Sequence, residues 1–170
     1  MNRRSIRVYK PECVPQSVLD TIALTAINAP SARNLQPWEM RIIKNRKLIA
    51  EIESGWLAMR KAENPDLEYK PAFHNAPVLL VVAYNKNNPF GQVDCGWFGQ
   101  NILLTAQSLG LGTCVVASPN SFFNSEAGKK VMEKLNFSEN YVVIYSITLG
   151  YPAEEPPAKP RDAAKVQIIE

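Results

Sequence analysis

Histidine is almost absent from this chain, which has only His74 among 170 residues. A hydrolytic triad needs an imidazole beside a nucleophile in a recognisable motif, and His74 lies in AFHNAP without one. Cysteine is scarce too. Cys13, Cys95 and Cys114 lie far apart with no CxxC pair, so neither a disulfide framework nor a zinc cluster is indicated, and reduced, mostly buried thiols are expected. One histidine and scattered carboxylates give no metal-ligand spacing. The eight glycines form neither G-x-G-x-x-G nor a Walker-type loop, which argues against a Rossmann or P-loop nucleotide site. No apolar run approaches the ~20 residues of a bilayer crossing. The opening MNRRSIRVYK lacks the apolar h-region of a secretory signal, so the expected location is cytoplasmic, away from membranes.

What is present is the composition of an ordinary globule, 46% apolar and 21% charged. A chain of this length suits one domain over residues 1–170, burying roughly 70% of its unfolded surface. The net charge of +3 is too small to imply nucleic-acid binding, and apart from Tyr9 no aromatic residue is interleaved with the basic clusters. The placement of charge is more informative. Arg3, Arg4 and Arg7 cluster at one end and Lys159, Arg161 and Lys165 at the other.

Periodicity orders the middle. Val18, Leu19, Ile22, Ala23, Ala26 and Ile27 recur at helical spacing between Pro15 and Pro30. Residues 38–44 read as a strand, and 45–62 as a helix with Leu48, Ile49, Ile52, Trp56 and Met59 on one face. After a polar hinge, ENPDLEYKP, the run VLLVVAY (78–84) reads as a mid-sheet strand covered on both faces. Residues 94–109 read as a largely buried central helix, TCVVAS (113–118) as another covered strand, 123–135 as a surface helix, and YVVIYSITL (141–149) as the last long strand. Pattern alone favours an α/β sheet between helices. The Pro-rich residues 151–170 read as an extended arm lying on a partner subunit, with Val166, Ile168 and Ile169 alternating as in a strand.

Two polar stretches remain. In RRSIR, extended backbone points Arg3, Ser5 and Arg7 one way and Ile6 and Val8 the other, a surface suited to a phosphate or simply a solvated terminus. APSARNLQPW (29–38) crowds Ser31, Arg33, Asn34 and Gln36 between prolines ahead of Trp38, which is expected in the core. Such a stretch is commonly a self-satisfied turn, but Asn34 and Gln36 carry both donor and acceptor and match a ligand edge that alternates the two.

Taken in order, RRSIRVYKPECVP, APSARNLQPW, NAPVLLVVAY, DCGWFGQNILLTAQSLGLGTCVV, ITLGYP and KPR resemble the FMN-dependent nitroreductase family along nearly the whole chain. The resemblance implies an α+β, three-layer fold with a mostly antiparallel central sheet flanked by helices, in an intertwined homodimer holding FMN at each of two interfaces. By position it places Arg3, Arg4, Ser5 and Arg7 along the phosphate, ribityl and pyrimidine side of FMN, with Lys159 and Arg161 near the phosphate. Pro30, Ser31, Asn34 and Gln36 would approach from the other subunit, so that the loop's hydrogen-bonding capacity serves a ligand across the interface. Ala117 and Ser118 would offer backbone groups to the flavin's reactive edge. Two departures stand out. Most of the helix that usually precedes RRSIR is lacking, which bears on the dimer, and Arg33 stands where glycine is common, which bears on the width and charge of the substrate pocket.

The implied chemistry needs no protein acid or base, because the flavin takes hydride and the protein tunes it. NADH or NADPH would donate, and a nitroaromatic, quinone or similar small oxidant would accept, in ping-pong fashion. Arg7 would favour the negative charge of reduced flavin. The alternative is an FMN-binding carrier or sensor without substantial turnover.

Overall fold

The computed structural model describes residues 3–66, 68 and 70–170, so Leu67 and Tyr69 of the polar hinge lie outside the described residues. Helix α1, Gln16–Ile27, follows Pro15, which occupies the N-cap, and buries Leu19, Ile22 and Ala26 at the spacing the sequence predicts. Strand β1 is Trp38–Ile43. Asn45 then caps α2, Arg46–Glu63, its side-chain oxygen accepting from the N–H groups of Lys47 and Leu48. Strand β2 is Val78–Asn85, α3 is Gly91–Ser108, β3 is Gly112–Val116, and β4 is Tyr141–Gly150.

These strands form one four-stranded sheet in the order β1-β2-β4-β3, with every neighbouring pair antiparallel. The α/β arrangement favoured by pattern alone is therefore corrected, and the α+β arrangement implied by the resemblance is the one observed. Strand β4, last in the chain, inserts between β2 and β3, which point the same way but never pair. Periodicity reports which residues are covered, not which strand lies next to which.

Strand β2 shows why there are three layers. Val78, Leu80 and Val82 join a core under α1 and α3 with Leu19, Phe98 and Ile102. Leu79, Val81 and Ala83 join a second core on the other face with Ile52, Phe123 and Val131. Alternation along one buried strand thus feeds both sides. Trp38 sits in the first core, its ring centroid 5.1 Å from that of Phe98, as its sequence context predicts.

Three local expectations are corrected. The surface helix expected over 123–135 is broken into α4, Asn120–Phe123, a 3-10 turn at Glu126–Gly128, and α5, Lys129–Leu135. Asn124 leaves the helix to bond β4, its amide donating to the Val143 carbonyl at 2.8 Å and accepting from the Val143 N–H at 2.9 Å. Helix α3 buries Phe98, Ile102 and Ala106 but leaves Val93 and Trp97 exposed, so one face of this expected core helix is open in a single chain. Strand β3 is an edge strand with Val115 exposed. Cys13 is exposed and Cys95 and Cys114 are buried, all three as free thiols. Among the described residues no helix is long and apolar enough to cross a membrane.

Candidate functional site

The basic N-terminal segment lies along the free edge of β3. Ile6 donates its N–H to the Thr113 carbonyl at 2.9 Å, and Ser5 bridges Thr113 in parallel register. Ile6 is buried against Gly112, where an added Cβ would fall 2.8 Å from the Ile6 Cβ, so the close approach needs glycine. Val8, which strand alternation places on the same side as Ile6, is exposed. The Tyr9 hydroxyl donates to the Ile6 carbonyl at 2.6 Å and pairs with Thr148 Oγ1 at 2.7 Å. Burial raises the phenol's pKa above its ordinary value against the lowering pull of the Thr148 hydrogen bond, so it stays a neutral donor.

The chain after β4 closes over this segment. Lys10 donates to the Tyr151 carbonyl and Ala153 to the Val8 carbonyl, each at 2.9 Å. The Glu154 carboxylate accepts the N–H groups of Arg7 and Val8. Sequence-distant termini are thereby zipped together. The result is a cavity of about 120 Å³ lined by Arg3, Arg4, Ser5, Arg7, Lys159 and Arg161. Arg3, Arg4, Lys159 and Arg161 continue into a neighbouring space of about 390 Å³ beside Gln100 and Leu104 of α3. Among the described residues, Arg3, Arg7, Lys159 and Arg161 have no carboxylate within ion-pair distance. A cavity faced by several cationic side chains has the chemistry to take an anion.

Arg7 also faces a separate cavity of about 440 Å³, with Tyr9, Lys70, His74 and Asn75. Burial, and then the Arg7 charge, hold the His74 pKa below its ordinary value against the opposing pull of Glu53 and Glu154. The imidazole is therefore neutral at neutral pH and can both donate and accept. Sequence reasoning set His74 aside and did not single out Lys70. Nothing in AFHNAP points toward Arg7, since the contact is made only when the hinge before β2 folds back beside the N-terminal segment.

The 29–38 stretch lies elsewhere on the same chain. Ala32–Asn34 forms a 3-10 turn in which Arg33 and Asn34 both have φ 55°, and Gln36 has φ 46°. Left-handed backbone at Arg33 accounts for the comfort of glycine at this position. The loop is tied down from within. The Ala32 N–H lies 3.3 Å from both oxygens of the fully buried Asp94 in the first turn of α3, and the Gln36 N–H donates to Ser31 Oγ at 3.0 Å. Gln36 Nε2 also donates to Asn34 Oδ1 at 3.2 Å. Part of the polar capacity expected to await a ligand is thus used internally.

Within one chain these parts do not meet. Asp94, which anchors the loop, precedes Gln100 and Leu104 beside the arginines by six to ten residues of α3, about 9 to 15 Å along its axis. Ala117 and Ser118 lie four and five residues beyond Thr113, about 13 to 17 Å along the strand direction, and are exposed. The Ala117 carbonyl accepts from the Asn120 N–H at 3.0 Å and so is partly used in the turn into α4. Pro30 and Ser31 sit at the C-terminal end of α1, in the loop rather than the cation cavity.

A helix-flanked antiparallel sheet with a cation-lined cavity where its two termini meet defines a class of small α+β protein. The profile of the Nitroreductase family matches residues 1–151, and the chain belongs to that family. A Methanothermobacter thermautotrophicus protein, provisionally named an NADH dehydrogenase/NAD(P)H nitroreductase, is 33% identical over 160 residues, covering 91% of this chain and 75% of that one. An iodotyrosine deiodinase of Thermotoga neapolitana is 27% identical, covering 97% and 92%. Among solved structures, an FMN-dependent nitroreductase of Clostridium difficile R20291 superposes with a TM-score of 0.90 at 27% identity, covering 99% of this chain and 95% of that one.

Proposed function

We propose that this protein is an FMN-dependent oxidoreductase that takes hydride from NAD(P)H and passes it to a small oxidant such as a nitroaromatic or quinone. The observation that carries the reading is the cavity in which Arg3, Arg4, Ser5 and Arg7 meet Lys159 and Arg161. Its chemistry fits a phosphate, and Arg7 joins it to a second cavity with polar groups for the cofactor's pyrimidine edge. Arg3, Arg4, Ser5, Lys159 and Arg161 would hold the phosphate and ribityl side, and Arg7 the pyrimidine edge. Bound there, FMN supplies hydride transfer. Arg7, a fixed cation, favours negative charge gained at that edge, and the neutral His74 beside it offers a hydrogen bond without competing charge. Donor and oxidant would use one place in turn, giving ping-pong kinetics.

The working unit in this reading is a homodimer. Leu24, Ile27, Leu35, Phe90, Val93 and Trp97 are all exposed around the 29–38 loop, an apolar surface that suits a second copy. Pairing across it would bring Pro30, Ser31, Asn34 and Gln36 of one chain to the cofactor of the other, with Ala117 and Ser118 at its reactive edge. Residues 1–170 form one domain in this account, and 151–170 an arm on the partner. Val166, Ile168 and Ile169 are more than 80% exposed and form no strand in the single chain, as an arm awaiting its partner would be. The three free thiols suit a reducing, cytoplasmic setting.

The test is spectroscopic. The purified protein should carry FMN with oxidised-flavin absorbance that NADH or NADPH bleaches and a quinone restores, with parallel double-reciprocal plots. A colourless protein that takes up no FMN on reconstitution refutes the reading. Bleaching without steady-state turnover would leave a redox carrier or sensor in its place.

A further inference from the structure

The 31–36 loop is built rigidly around one unused charge. Asp94 holds Ala32 from below, Ser31 Oγ holds Gln36, and the Asn34 and Leu35 N–H groups return to the carbonyls of Ser31 and Ala32 at 3.0 and 3.1 Å. Arg33 sits at the centre of these ties in left-handed backbone, a conformation that disfavours any side chain bearing a Cβ. Its own side chain is exposed, and no hydrogen bond or ion pair engages it among the described residues. The nearest carboxylate along these ties, Asp94, is buried with its oxygens on the Ala32 N–H.

The surroundings make this cation unusual. Leu35 beside it, Leu24 and Ile27 of α1, and Phe90, Val93 and Trp97 around α3 are exposed apolar side chains. A guanidinium left without a counter-charge on such a surface is costly once the surface is covered. Arg33 lies between Ser31 and Asn34, two residues that the proposed function brings to the cofactor of the partner chain. Resting on that assignment, we propose that Arg33 selects an anionic group on the small molecule that occupies the place over the cofactor. Two sources share this chemistry: a carboxylate or sulfonate on the oxidant, and the 2′-phosphate that distinguishes NADPH from NADH.

Equilibrium binding to the oxidised holoprotein, without reductant and therefore without turnover, separates them. FMN occupancy is measured first by absorbance. Calorimetry then compares 4-nitrobenzoate with the neutral 4-nitrobenzamide, and NADP⁺ with NAD⁺. Wild type should prefer the anionic member of at least one pair, and Arg33→Gly and Arg33→Gln should lose that preference by about tenfold, the scale of a charged hydrogen bond. Arg33→Lys should keep part of it. Glycine suits the φ of this position, so the first variant should fold at least as well as wild type. Loss confined to the nitrobenzoate pair assigns the anion to the oxidant, and loss confined to the nucleotide pair assigns it to the hydride donor. Changes below twofold in both pairs with FMN intact overturn the proposal, as does loss of FMN from the Arg33 variants, which would make Arg33 a cofactor residue. A wild-type protein that never holds FMN instead overturns the functional reading beneath it.

Discussion

Replacing Arg7 by alanine tests the convergence of the two termini most directly. The Arg7 side chain is exposed and makes no hydrogen bond among the described residues, whereas its backbone N–H, which Glu154 accepts, survives the substitution. Stability of the apoprotein should therefore stay within about 0.5 kcal/mol of wild type. Cofactor affinity is a different quantity, because Arg7 lines both the cation cavity and the one containing His74. A hydrogen bond to a charged group is worth about 1.5 to 3 kcal/mol, and an exposed ion pair about 0.2 to 1. Since the cavity is open to solvent in the single chain and four other cations remain, the lower end of the first range applies, about 1.5 kcal/mol. That corresponds to a roughly tenfold rise in Kd. Quenching of FMN fluorescence by apoprotein measures it, and a titration at two salt concentrations should show a shallower dependence in the variant. One cause of the lowered His74 pKa also disappears, so the imidazole, followed by NMR, should titrate higher than in wild type. A Kd within threefold of wild type, or an affinity loss matched by unfolding, would refute the assigned role.

Gly99→Ala in α3 would place a Cβ 2.9 Å from Tyr145 Cζ, where the phenol hydroxyl bonds the Cys95 carbonyl. Overpacking and a weakened hydrogen bond, about 2 to 4 kcal/mol together, outweigh about 1 kcal/mol of gained helix propensity, so calorimetry should show Tm falling by several degrees. An unchanged Tm would show that Tyr145 relaxes freely. His74 has a folded pKa below its unfolded one, so between the two values the unfolded chain binds a proton that the folded chain refuses. Stability should accordingly fall as pH drops through the ordinary histidine range, and urea unfolding of His74→Gln at pH 5 and 7.5 should show a smaller drop. An equal drop in both proteins would assign the acid sensitivity to other groups. Removing residues 162–170 should loosen the dimer and lower its Tm, whereas a truncated protein that stays dimeric with unchanged stability would rule out the arm's role.

Much of the helix and strand content was readable from apolar spacing. The buried face of α1, the face of α2 and the doubly covered β2 each follow from residues repeating every three to four, or every two, positions. The broken segment after β3 was not, because Asn124 competes with the helix by bonding Val143, a partner nineteen residues away. The exposed faces of α3 and β3 were misread as covered for a related reason. Apolarity marks a surface that avoids water, and a second polypeptide satisfies it as well as the chain's own core.

The sequence by itself determined that cationic groups cluster at both ends, that no imidazole-based or metal chemistry is encoded in a motif, and that the elements alternate along the chain. These are local properties of composition and spacing. Only the tertiary structure decided that β4 lies between β2 and β3, that Glu154 and Tyr9 draw the two termini onto one cavity, that His74 neighbours Arg7, and that the Arg33 loop is anchored to Asp94 of α3. Each of those depends on contacts between residues far apart in sequence. Their closure is decided by which buried surfaces and hydrogen bonds can be satisfied together, and no short window of sequence records that.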